Sequence, residues 1–283
     1  MSMSPSSSDR VAREVVAHRL RGLRVAAGLT GHELSRRCGW SDAKTSRIES
    51  AKTPPSAADI DAWCAACEEP AQAVDLIVAS RHVDEMYASW QQLHQHGMRQ
   101  AQEDVQHLYG TTRHFRIYCS NVLPGVLQTR EYATALLATI SSFQGTPDDS
   151  VSAAEARFAR SFVLQDGHRS FAFLLEEAVL HHRQAPADVL VAQLHSVLDV
   201  MRRPNVSLGI VPSDAPRATS WPLESFYLFD DRRVSVELLT AAVNLTAPSE
   251  VAAYAKAFSA IAGTAVYGDR ARNLISKALS THE

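Results

Sequence analysis

Four cysteines in 283 residues, at positions 38, 64, 67 and 119, are too few to staple a chain of this length with disulfides. No apolar run approaches the roughly 18 residues of a membrane-spanning helix, so no membrane association is expected. Glycine and proline number only 12 each, which excludes a collagen-like or linker-dominated chain. Neither sign of charge dominates: 28 Lys and Arg stand against 31 Asp and Glu, a net of -3 that excludes a globally basic nucleic-acid coat. The first residues, Met1 to Ser8, are polar and Ser-rich with no apolar stretch behind them, so they read as a frayed tail and not as an export signal. A reducing cytoplasm is therefore the expected compartment. No Gly-rich phosphate loop, nucleophile elbow or zinc-protease motif occurs. What is present is 46% hydrophobic and 21% charged residues, enough for a packed core, in a length that suits two domains at about 150 residues each.

The small net charge hides an asymmetry. Between Arg10 and Lys52 there are ten basic residues and four acidic ones, a local net of +6 that leaves -9 for the rest of the chain. A compact basic module on an acidic body suits nucleic-acid binding, because Lys and Arg displace the counterions condensed on phosphates. A solvated basic helix face is the alternative reading of charge alone.

The same segment has a helical grammar. Val16, Leu20, Leu23 and Ala27 form one apolar stripe, and Gly28 ends that helix. Thr30 opens a second helix with Glu33 at the capping-box position; Leu34 and Cys38 face inward and Gly39 stops it. Ser41 is the N-cap of a third helix, Asp42 to about Glu49, with Thr45 and Ile48 inward. Ser56 and Asp59 cap a fourth, with Ile60, Trp63 and Cys67 inward.

Leu23-Arg24, Gly28-Leu29-Thr30, Glu33-Leu34, Gly39, Ser46-Arg47-Ile48-Glu49 and the following proline fall in the order of a known motif. The stretch resembles the helix-turn-helix of the phage-repressor (Cro/CI, XRE-like) family. That resemblance implies that the segment from Ser41 to Glu49 is the recognition helix, lying in the major groove of double-stranded DNA. Its outward positions would be Ser41, Asp42, Ala43, Lys44 and Arg47. Arg47 suits a two-pronged contact to guanine or a phosphate contact, and Lys44 a phosphate contact. Asp42 suits either a cytosine amino group or simply the positive end of its helix, and Ala43 a thymine methyl. Ser41 both caps and meets the backbone. The amide end of the second helix, from Thr30 to His32, would lean on a phosphate. Arg24 and Glu49 would be a structural ion pair between the first and third helices. Arg47→Ala should then weaken binding and relax base preference, and Lys44→Ala should mainly lower the salt dependence. Two positions depart from the pattern. Ala51 stands near where glycine usually follows the recognition helix, which predicts a strained turn, and Thr45 replaces an aliphatic residue, which predicts a looser core.

Beyond residue 80 the pattern changes. Val83, Met86, Tyr87, Trp90 and Leu93 lie on one face of a predicted helix over 82–109 that Gly97 breaks. Arg113 to Cys119 alternates as a strand, and Leu123-Pro124-Gly125 turns into a helix to about Ile140. Ser152 with Glu155 predicts a capped helix to about Leu164. Phe171 to Leu175 and Val206 to Val211 read as strands, with a helix from Pro186 between them. Strands near 225–229 and 234–238 flank Asp230-Asp231 as a hairpin, and two helices follow, one over Val251 to Ile261 and a last from Asp269 to Ser280. The fold class expected is α+β: an all-α helix-turn-helix domain followed by a mixed α+β domain. The divisions expected are a tail (1–9), the helix-turn-helix domain (10–80), a helical connector with the first strand (81–120) and a regulatory or interaction domain (121–283).

"NVLPGVLQTREYATALL", "LLEEAVLHHR", "VAQLHSVLDVMRRPNVSLGIVPSDA" and "SFYLFDDRRVSVE" resemble the C-terminal domain of WhiJ-type, antitoxin-like actinomycete regulators. The resemblance implies a transcriptional regulator, often encoded beside a small partner protein. The expected function is a sequence-specific DNA-binding regulator acting as a homodimer on a two-fold operator. The alternative is an antitoxin-like protein whose main task is to bind that small partner, with DNA binding for autoregulation. A ligand sensor with an unidentified small-molecule effector is a further class. No catalytic residue, metal site or cofactor is expected. Cys64-x-x-Cys67 lacks two further zinc ligands nearby, His94, His96, His107 and His114 lack acidic or thiol companions, and Glu176-Glu177 with His181-His182 reads first as a strand end whose Glu176 bonds backbone amides or an arginine.

Overall fold

A computed structural model describes residues 7–81, 87–218 and 221–282. The chain divides into two compact units, Met1–Tyr87 with Asn244–Glu250, and Ala88–Val243 with Val251–Glu283. The expected tail falls largely on residues 1–6, outside the described residues.

Five helices lie wholly within the described residues of the first unit: α1 (Ser7–Ala26), α2 (Gly31–Cys38), α3 (Asp42–Glu49), α4 (Ala57–Ala66) and α5 (Ala73–Arg81). The starts of α2 and α4 follow from the sequence. Thr30 and Glu33 form a complete capping box on α2, and Ser56 and Asp59 form another on α4, so orphan amides at both helix starts are satisfied locally. The inward side chains Val16, Leu20, Leu29, Leu34, Ile48, Ile60, Trp63 and Leu76 then meet in one core. Trp63 is its largest member, fully buried, with its indole Nε1 donating to the Leu20 carbonyl at 3.0 Å.

The turn after α3 holds Ala51 at φ 54°. This is the left-handed region, where a Cβ crowds the following carbonyl. Ala51→Gly is therefore expected to stabilise the first unit by about 0.5–1 kcal/mol, the relieved strain exceeding glycine's added unfolded-state entropy. A urea titration followed by circular dichroism checks this; an unchanged or lower midpoint contradicts it.

The described strands form one mixed sheet, most of whose residues belong to the second unit. The strands are β1 (Tyr87–Ser89), β2 (His114–Cys119), β3 (Ser170–Glu176), β4 (Val206–Val211), β5 (Phe226–Phe229), β6 (Arg233–Glu237) and β7 (Ala241–Leu245). They lie in the order β1-β7-β6-β5-β2-β3-β4 among the described residues. β3 pairs in parallel with both β2 and β4, while β5 runs antiparallel to β2 and to β6. Parallel strands are buried on both faces. This is why HFRIYC, SFAFLLE and VSLGIV are apolar almost throughout their second halves instead of alternating.

Short helices α6 (Trp90–Leu93), α7 (Arg99–Asp104) and α8 (Gln106–Thr111) precede β2. The parallel crossovers carry α9 (Arg130–Gln144) and α10 (Ser150–Ala159) between β2 and β3, and α11 (Ala187–Val200) between β3 and β4. Two helices, α12 (Pro248–Ala262) and α13 (Gly268–His282), close the chain. Phe115 stacks on Phe171 at 4.6 Å at the centre of the core. The arrangement is the α+β class that the element order predicts.

Three expectations change. The helix expected over 82–109 is not continuous. Its residues 82–86 lie outside those described, and Tyr87–Ser89 are a strand followed by three short helices. Trp90 is drawn out of a helical stripe by non-local bonds, its backbone N–H donating to Thr240 O (3.1 Å) and its indole Nε1 to Leu238 O (2.8 Å). The capping box expected at Ser152 and Glu155 does not form: α10 begins at Ser150, and Glu155 pairs with Arg130 at 2.9 Å. The neighbouring carboxylate of Asp149 instead accepts from the amides of Met98 and Arg99 at 2.8 and 2.9 Å. Gly97 permits that approach, since a Cβ there would lie 2.5 Å from Asp149 Oδ2. Finally, β7 is a strand that the sequence pattern does not predict.

Candidate nucleic-acid interface

Helices α2 and α3 are set at an angle by Gly39, which closes α2 in the left-handed conformation at φ 72°. The inner face of α3 is anchored by Ile48 and Thr45, both buried. Thr45 does not loosen this packing. Its hydroxyl lies 2.7 Å from Ser35 Oγ and accepts from Trp40 Nε1 at 2.8 Å, so a satisfied polar trio replaces the aliphatic contact.

Arg24 on α1 and Glu49 on α3 form a two-pronged pair, Nε to Oε1 at 2.6 Å and Nη2 to Oε2 at 3.1 Å. The remaining Nη1 donates to Leu29 O at 2.7 Å. The Glu49 carboxylate raises the Arg24 pKa above its ordinary value, more than burial lowers it. The pair ties the third helix to the first across the turn between α1 and α2.

With its inner face fixed, α3 presents Ser41, Asp42, Ala43, Ser46 and Arg47 outward, all exposed. Ser41 sits at the N-cap but its side chain makes no capping bond. Among the described residues, the Arg47 guanidinium has no ion-pair or hydrogen-bond partner. Arg36 and Lys52 are exposed as well, whereas two other basic side chains of this region are engaged. Arg37 donates to Ala66 O at the end of α4 (2.9 Å). Lys44 lies 2.5 Å from Asp59 Oδ1 and 4.5 Å from the centre of the Trp40 ring. Burial raises the Asp59 pKa, but the bonds from Lys44 and Ser56 outweigh it and hold the carboxyl below its ordinary range. A phosphate approaching Lys44 therefore shares it with an existing carboxylate.

The start of α2 is also partly occupied. The Thr30 amide donates to Glu33 Oε2 at 2.8 Å, and that bond holds the Glu33 carboxyl below its usual range. The positive end of α2 thus already carries an anion, and the amides of Gly31 and His32 remain beyond it. His32, highly exposed, lies with Nδ1 2.9 Å from Asp42 Oδ2, linking the first turns of α2 and α3. The bond from His32, with another from Ser35, lowers the Asp42 pKa. Neither His32–Asp42 nor Lys44–Asp59 was visible in the sequence. The partners stand ten and fifteen residues apart, outside the three- and four-residue spacing through which a helix brings side chains together.

The other sequence candidates are structural where they are described. Glu176 ends β3, accepting from Tyr118 OH at 2.7 Å and from both terminal nitrogens of Arg217 at 3.1 and 2.5 Å. Cys64 and Cys67 are buried, and desolvation pushes the Cys64 thiol up to about 11. His94 bonds Gln144 and His114 bonds Ser170. Among the described residues no three His, Cys, Asp or Glu side chains come together as a metal set. No helix among them is long and apolar enough to cross a membrane.

Comparison with known families places a helix-turn-helix domain at residues 15–77, covering α2, α3 and the elements that hold them. This supports a DNA-binding regulator. A second family, described as a domain of unknown function (DUF5753), matches residues 104–277, from the end of α7 through most of α13. No curated protein matched the chain. Since that second match spans more than half of its length, the chain belongs to the DUF5753 family, with a helix-turn-helix domain ahead of the family's own.

Proposed function

We propose that the chain is a sequence-specific transcriptional regulator that inserts α3 into the major groove of double-stranded DNA. The observation carrying this reading is the exposed Arg47 on the outer face of a helix whose inner face is fixed in the core, with Lys44 beside it already paired to Asp59. The chain acts in the cytoplasm as a homodimer on a two-fold operator, because one short helix buries too little surface for tight specific binding. Arg47 and Ala43 read base edges, while Ser41, the amides of Gly31 and His32, and Lys44 hold phosphates. Asp42 meets the DNA as a carboxylate bonded to His32, which favours an orienting role over a contact with cytosine. The second domain is a dimerisation, partner or effector platform and catalyses no reaction.

Selection of bound duplexes from a random pool, with the full chain, tests the reading. Two inverted half-sites about 34 Å apart, one helical turn, are expected, with two protomers bound per duplex. Failure to enrich any sequence contradicts specific reading, and one protomer per duplex contradicts the dimer. The likeness of the second domain to WhiJ-type regulators supports a second reading, in which that domain chiefly sequesters a small protein encoded nearby. Co-purification with that neighbour's product, at micromolar affinity or tighter, separates this role from the first.

A further inference from the structure

In the second unit two neighbouring guanidinium groups, on Arg157 and Arg160, bond only neutral oxygens. Arg160, just after α10, is the only arginine buried among the described residues, with 7% of its surface exposed. Its Nη2 donates to Gln102 Oε1 at 2.7 Å and its Nη1 to Gln102 O at 3.2 Å. Arg157, one turn earlier, donates through Nε to the same Gln102 Oε1 at 3.0 Å and through Nη1 to Gln128 Oε1 at 2.9 Å. Two cations therefore converge on one amide oxygen. Four other sheltered arginines, Arg24, Arg116, Arg169 and Arg217, each have a carboxylate within 4 Å, at Glu49, Asp231, Asp166 and Glu176, whereas Arg203 bonds only the Leu164 carbonyl, at 3.5 Å.

Desolvation of an unpaired cation is costly, and a second cation beside it adds repulsion. Burial, with Arg157's charge adding to it, holds the Arg160 pKa below its ordinary value. Glu237 is the carboxylate whose charge reaches Arg160, but it is exposed and forms no ion pair with it. The surroundings compensate the charge only in part. The Tyr109 ring lies 5.1 Å from the Arg160 guanidinium carbon. Tyr227 OH, within electrostatic range of both arginines, has only the Cys119 thiol at 3.9 Å as a hydrogen-bond partner among the described residues. Of the five N–H groups on each guanidinium, only two donate at Arg157 and two at Arg160 among the described residues, and all four bonds go to neutral oxygens.

We propose that Arg157 and Arg160, with Tyr227, bind a compact oxyanion, the phosphate or carboxylate group of a small molecule. The anion lies against both guanidinium groups and gives them the acceptors that Gln102 and Gln128 supply only in part. Arg157, half-buried, is the point of entry, and Arg160 is the fixed inner contact. The inference stands apart from DNA reading, since all these residues belong to the second unit.

Calorimetric titration of the full chain with sodium phosphate, and separately with sodium citrate, at ionic strength held constant with chloride, tests it. Saturable binding in at least one arm is expected, and the arm that binds identifies the anion. A melting temperature raised by roughly 5 °C or more at hundredfold excess over Kd should accompany it. Arg157→Gln, at a half-exposed position that tolerates the change, should weaken binding at least about tenfold, the loss of one charge-assisted contact. Arg160→Met should abolish binding where it folds, and Arg130→Gln, at an exposed pair with Glu155, should leave it unchanged. Absence of saturable binding in both arms overturns the proposal, and so does Arg157→Gln binding as tightly as the unaltered chain.

Discussion

Arg47→Ala is expected to reduce affinity for a selected duplex by roughly 10- to 100-fold per half-site, the range of one lost bidentate base contact. The side chain is exposed on the outer face of α3 and has no partner among the described residues. Its removal therefore costs the fold almost nothing, and the whole effect appears in binding. Two signatures separate base reading from phosphate contact. Loss of a base contact relaxes preference at one position of each half-site and leaves the salt slope nearly intact, whereas loss of a phosphate contact lowers the slope and preserves the preference. Fluorescence anisotropy against the selected site and single-base variants, at several salt concentrations, gives both. Wild-type affinity and wild-type preference together would remove α3 from the interface. Lys44→Ala forms an instructive comparison. Because its ammonium is already shared with Asp59, it should lower the salt slope by less than one full phosphate contact would.

The largest expected loss of stability is for Trp63→Ala, about 3–5 kcal/mol. Trp63 is fully buried, donates to the Leu20 carbonyl of α1 and lies 6.1 Å from Trp40 in the α2–α3 turn. One side chain on the fourth helix thus reaches both the first helix and the turn that leads into α3. The loss approaches the lower end of a small domain's entire stability, about 5–15 kcal/mol. The variant should lose DNA binding at 37 °C through unfolding of the first unit alone, because the core of the second unit contains no member of this cluster. Two melting transitions are expected, with only one displaced. Trp63→Phe, which keeps most of the volume and loses the indole bond, should cost about 1–2 kcal/mol. A single common transition, displaced as a whole, would show that the units unfold together.

The features legible in the sequence are those set by short-range rules. Thr30 with Glu33, and Ser56 with Asp59, lie three residues apart, and the capping boxes form where that spacing puts them. Gly39 and Ile48 follow from turn and helix periodicity in the same way. The strand over Val206–Val211 was legible because a short apolar run after Pro204-Asn205 has few alternatives. Non-local features were legible only where the helix-turn-helix motif carries them, as with Arg24 and Glu49, twenty-five residues apart. Ser152 and Glu155 have the spacing of a cap, but Arg130 competes for the carboxylate from another helix. The parallel register of β2, β3 and β4 depends on crossovers that no local pattern encodes. At the candidate interface, residue identities were readable from the motif, but the two ion pairs that limit Asp42 and Lys44 were not. The convergence of Arg157 and Arg160 on Gln102 joins segments over fifty residues apart, and only the folded chain shows it.

The pairing of Phe115 with Phe229 has a consequence for synthesis. The middle of the sheet cannot close until β5 has left the ribosome, whereas α1 to α5 are complete within the first 81 residues. Local helical contacts form fast and distant strand contacts form slowly. The helix-turn-helix domain is therefore folded while most of the body is still being translated, and β2 waits with one edge open until its antiparallel neighbour arrives.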